Sequence, residues 1–109
     1  MEVGMSEVQP DANAGGPFEA IDPKLNVFAL ANGMDLTKGP DHRRLEWFTE
    51  GQERGILVEI EDGGAFRVGV LTWATGSGEI RSQAAVGGGL SAADVIGLLA
   101  PAIETANKL

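Results

Sequence analysis

The chain has 109 residues, of which 43% are hydrophobic and 22% charged, with a formal charge of −8 and no cysteine. These are globular proportions, and the missing cysteine removes disulfides, thiolate nucleophiles and thiolate metal sites, so packing alone must hold the fold. The acid excess argues against a nucleic-acid backbone as ligand, because phosphate binding needs clustered Lys and Arg; a protein partner, basic in character, suits it better.

Half of that excess sits at the N-terminus. Residues 1–20 hold Glu2, Glu7, Asp11 and Glu19 without a base, together with several Gly and Pro and one aromatic residue, Phe18. Such a segment cannot repay the entropy of ordering, so it reads as a disordered acidic tail before a single domain over residues 21–109. No apolar run approaches the ~20 residues that cross a bilayer. Glu2 and Glu7 also stand where a signal peptide is basic, so a cytoplasmic chain without membrane attachment is expected.

Asp22-Pro23 reads as the cap and first residue of a helix of about ten residues that ends near Gly33, with Leu25, Phe28 and Ala29 along one face. A strand through Leu25, Val27 and Ala29 also fits so short a run, but the start and stop signals agree on the helix. Residues 34–44, broken by Gly39-Pro40, read as a loop.

From Leu45 the period becomes two. Leu45, Trp47 and Thr49, then Ile56, Val58 and Ile60, then Phe66, Val68, Val70 and Thr72 mark three strands, each with one face for a core. Asp62-Gly63-Gly64 and Thr75-Gly76-Ser77-Gly78 supply the turns, and a weaker fourth strand follows at Glu79–Val86. An antiparallel meander is the simplest topology.

After Gly87-Gly88-Gly89, Ser91-Ala92-Ala93-Asp94 forms a capping box flanked by Leu90 and Val95 as a hydrophobic staple. Val95, Leu98, Leu99, Ala102, Ile103 and Ala106 then make a stripe at helical spacing, the face for the sheet. Pro101 within it removes a hydrogen bond, at about 3 kcal/mol, so a kink or a stop and restart is expected there. The fold class is therefore α+β: an N-terminal helix, an antiparallel meander of three to four strands, and a C-terminal helix packed on the sheet.

Several motifs suggest chemistry and are each outweighed. Asp11-x-Asn13-x-Gly15 with Asp22 approaches calcium-loop spacing, but Pro10 and Pro17 interrupt it and no amphipathic helix precedes it. Gly87-Gly88-Gly89 before a helix resembles a phosphate cradle, yet no Lys follows and Asp94 repels an anion, leaving a flexible strand-to-helix connection. His42 is the only histidine, which excludes histidine-rich metal sites within one chain. No serine has a nucleophile-elbow context. Neither a catalytic set nor a cofactor or metal site is identifiable, so the chain reads as non-enzymatic.

The remaining signal is a surface. Leu57, Leu71 and Trp73 alternate away from the core positions, with Glu59 and Glu61 beside them, and an exposed apolar patch on a small domain marks an interface. The first helix or the tail is an alternative cover for it. The order of helix, meander and closing helix is similar to that of secretion-chaperone-like and other adaptor proteins, a likeness of plan alone. The expectation is a protein-binding module, chaperone-like and able to form a homodimer. One alternative is a small-molecule binder or enzyme using His42, Arg43 and Arg44; another is an acidic inhibitor imitating nucleic-acid charge through Glu46, Glu50, Glu59 and Glu61.

Overall fold

A computed structural model describes residues 16–109. The expected calcium-loop positions 11–15, and most of the expected tail, lie outside the described residues. The chain runs α1 (Asp22–Ala31), β1 (Asp35–Lys38), β2 (His42–Thr49), β3 (Gln52–Ile60), β4 (Phe66–Trp73), β5 (Ile80–Leu90) and α2 (Ala92–Asn107). The fold is α+β, and the five strands pair antiparallel in sequence order, a meander.

That exceeds the expected three to four, because β1 lies in the segment read as a loop. Asp-Leu-Thr-Lys offers a single apolar residue, Leu36, which pairs with Leu45 and faces the core. An edge strand needs no more than that, so periodicity could not reveal it. Gly39-Pro40 marks the hairpin between β1 and β2 rather than an extended loop. The next hairpin, Glu50-Gly51, has positive φ at both residues (55° and 74°), the backbone of a tight turn whose twist matches the flanking strands.

Both helices lie on one side of the sheet. Val95, Leu99, Ala102 and Ala106 of α2 and Leu25 and Ala29 of α1 share one core with Leu45, Ile56, Val58, Phe66, Val68 and Val70. The period-two positions of β2, β3 and β4 therefore face inward as expected. Ser91 caps α2, accepting from the Asp94 amide at 3.1 Å while the Asp94 carboxylate accepts from the Ser91 amide at 3.2 Å. The helix continues through Pro101 as one element, with the proline ring exposed, so no stop and restart occurs.

Three expectations are corrected by the packing. Residues 16–20 form turns rather than tail, and Phe18 is 1% exposed, set against Phe66 with ring centroids 5.8 Å apart. Asp22 does not cap α1; the N-cap is Ile21, without a side-chain bond. Instead, Asp22 takes both ends of the Arg43 guanidinium, Nε to Oδ1 at 2.8 Å and Nη2 to Oδ2 at 3.0 Å. Finally, Gly87-Gly88-Gly89 belongs to β5 and is no free linker.

Arg43 is fully buried, and its burial is possible because almost every donor is met. Nη1 donates to the carbonyls of Gly39 and His42 at 2.8 and 2.9 Å, and the guanidinium carbon lies 4.1 Å from the Phe18 ring centroid. One side chain thus joins the N-terminal turn, the start of α1 and the first hairpin. Arg54 is the second buried cation, 4% exposed, donating to the Ala106 carbonyl near the end of α2 at 2.6 Å. Cations suit a helix C-terminus, where carbonyls lack amide partners.

Candidate functional site: the outer face of the sheet

Because both helices pack on the inner side, nothing among the described residues crosses the outer one. The first helix is therefore not its cover. Strand pairing orders this face into rows: Arg44, Leu57, Gly69 and Ala85; Glu46, Gly55, Leu71 and Gln83; Phe48, Glu53, Trp73 and Ile80. Side chains of directly paired residues share a face.

The centre of the face is hollow. A concavity of about 530 Å³ is bounded by Leu57, Glu59, Glu61, Arg67 and Leu71, over a floor that includes Gly69 and Ala85. Small residues on β4 and β5 create the depression, since a larger side chain at either would fill it. Four of the five expected binding residues line it. Leu71, however, is 6% exposed, so the expected flat apolar patch is instead a depression in which Leu71 is shielded by its neighbours.

Trp73, the fifth, stands apart from the hollow. Its ring lies across Gly55, where an added Cβ would come within 3.0 Å of the indole, and the Arg44 guanidinium sits 5.0 Å from the ring centroid. Glycine at 55 is thus the condition for the indole to lie flat on the sheet. Phe48 and Ile80 are 59% and 53% exposed in the same row, and sequence reasoning missed both. Phe48 shares the parity of Glu46 and could have been found by that signal; Ile80 depends on a bulge between Thr72 and Trp73 that no periodicity announces.

Three acids of the face, Glu46, Glu59 and Glu61, are engaged by neighbours. Glu59 accepts from Arg67 Nε at 2.9 Å, and its carboxylate holds the Arg67 guanidinium above its ordinary pKa by hydrogen bond and charge. Arg44 Nε pairs with Glu46. Glu61 accepts from the Gly89 amide at 2.9 Å, so a carboxylate already occupies the backbone donor that a phosphate would seek in the triple-glycine segment. The rim is mixed in charge, not uniformly acidic, and the array imagined for a nucleic-acid mimic is largely neutralised where it stands.

The His42, Arg43 and Arg44 cluster does not assemble. Alternation along β2 sends Arg43 into the core and Arg44 to the outer face, while His42 Nδ1 lies 3.3 Å from Asp41 Oδ1. Trp47 is core, packed on the inner side with its indole N–H donating to Asn107 Oδ1 at 3.3 Å. Among the described residues there is no group of three or more His, Asp or Glu placed to hold a metal ion, and no helix long and apolar enough to cross a membrane. Asp22, the last ligand of the imagined calcium loop, is taken by Arg43.

A second apolar surface lies on the helical side. Lys24, Val27, Phe28 and Ala31 of α1 and Ile96 of α2 border a shallow groove of about 370 Å³. Val27 and Leu30 nearby are 67% and 83% exposed.

Compared with known proteins, the chain matches no family model, no curated protein and no solved structure.

Proposed function

We propose that this protein is a non-enzymatic binding module that takes a protein partner on the outer face of its sheet. One observation carries the reading: both helices are on the inner side, which leaves a hollow of about 530 Å³ with half-buried Leu57 at its wall, Leu71 beneath and an ion-paired rim open to a partner. An apolar centre within a polar, charged rim is the anatomy of a protein interface. Trp73, beside Ile80 and in the same row as Phe48 with Glu53 between them, supplies the aromatic and aliphatic anchors that dominate such contacts. Glu59 and Glu61 contribute orientation and partner choice, with a basic segment the best match to the net charge.

The test uses the full chain as bait in extract of its native host, beside Leu57→Asp, Trp73→Ala and a control on the opposite side, Val27→Ser. A partner retained by wild type and control and lost by both outer-face variants supports the reading. Retention by both outer-face variants, with folding verified by circular dichroism, rejects it. Loss with Val27→Ser alone moves the site to the α1 groove.

A further inference from the structure

An open sheet has two edges, and this one treats them differently. β1 has only four residues, Asp35 to Lys38, is charged at both ends and is followed closely by Pro40. Shortness, charge and proline are devices that stop an edge from pairing with another chain, as are bulges, so on β5 only the stretch between its bulges is free to pair. β5 has eleven residues, no proline and a single charge, Arg81. Bulges bend it at Arg81, at Val86 and again at Gly88-Gly89, but between the first two Ser82, Gln83, Ala84 and Ala85 hold unbroken register with Thr72, Leu71, Val70 and Gly69. Every second residue of that stretch presents its backbone N–H and C=O away from β4, and among the described residues no strand lies beyond it.

We propose that the free edge of β5 is a pairing site for a second copy of this chain, β5 against β5 antiparallel about a two-fold axis near Ala84. The side chains at the junction are uncharged and, apart from Gln83, small, so two copies approach without charge conflict. The ends of the junction are complementary. Arg81 is exposed and has no ion-pair partner among the described residues, whereas Glu61 rests against Gly88 and Gly89 at the other end of the same strand. Antiparallel pairing about Ala84 brings Arg81 of each copy beside Glu61 of the other, twice by symmetry. This inference is independent of the outer-face reading, since pairing extends the sheet and leaves its outer face open.

Sedimentation equilibrium on the full chain, over about a hundredfold range of concentration, reads the assembly directly. Wild type is expected to move from 11.3 kDa towards twice that mass. Arg81→Glu and Glu61→Arg, each alone, set like charges together at both ends and weaken the dimer on the order of tenfold or more. An equimolar mixture of the two variants restores both pairs and recovers the dimer, which also establishes that each variant is folded. A wild type that stays monomeric throughout, or a mixture that fails to dimerise, overturns the proposal. So does a dimer that survives both charge reversals and dissolves in Leu57→Asp, because that dimer is face to face. Leu57→Asp losing its captured partner while still forming the edge dimer would leave both readings standing, and the two can fail separately.

Discussion

Arg43 and Arg44 are adjacent in the chain and end on opposite faces of the same strand. On the inner face, Arg43 has no exposure, a bidentate carboxylate, two carbonyls and an aromatic ring around it. On the outer face, Arg44 is 37% exposed, pairs with Glu46 and leans over Trp73. The inner arginine must have every partner in place or its charge is stranded in the core, and that requirement fixes three segments of chain at once. The outer one gains little from its pair, because water competes for both charges. One arginine is therefore committed to stability, while the other contributes little to it.

The comparison is broken most severely at Arg43. Arg43→Met removes the cation and leaves Asp22 without its partner, at a cost of about 3–5 kcal/mol, read as a lowered midpoint in urea unfolding. Adding Asp22→Leu should recover part of that loss, since an apolar pair avoids the stranded carboxylate. A single variant as stable as wild type would mean that the buried pair is no anchor.

Ile56 and Leu57 sharpen the same contrast one residue apart. Ile56 is fully buried between sheet and helices, so Ile56→Ala should cost about 2–5 kcal/mol. Leu57 on the outer face is half-buried, and Leu57→Ala should cost only about 1 kcal/mol, the transfer free energy of the part it shields. Equal losses would imply that the outer face is a second core. Gly55 comes next: Gly55→Ala forces its Cβ against the indole of Trp73, and overpacking of this kind costs about 1–3 kcal/mol. Placed in a Trp47→Phe background, that variant should shift Trp73 fluorescence to longer wavelength as the ring lifts off the sheet. The smallest effect belongs to the rim, where Glu59→Gln should leave the unfolding midpoint unchanged while altering the salt dependence of partner binding.

Much of the fold was legible because its signals are local. The Ser91 capping box, the Val95–Ala106 stripe and the alternation from Leu45 to Thr72 each follow from a spacing of two, three or four residues. β1 and the second half of β5 were not legible, since an edge strand and a Gly-rich strand carry too few large side chains to show a period. Of the candidate site, alternation identified Leu57, Glu59, Glu61, Leu71 and Trp73 as outward-facing. It could not show that Gly69 and Ala85 hollow the floor, or that Phe48 and Ile80 join Trp73 in one row, because those relations are between strands.

What the sequence determined by itself was the kind of each element and the side it buries: side-chain period and capping are properties of neighbours along the chain. Only the tertiary structure decided the fate of the charges. Asp22 reads as a helix cap and Arg43 as part of a solvated loop until the fold brings them to 2.8 Å, and Glu61 reads as a free acid until it meets the Gly89 amide. A charge takes its meaning from what lies within a few ångströms of it in space, and residues 21 and 28 positions apart become such neighbours only when the sheet has formed.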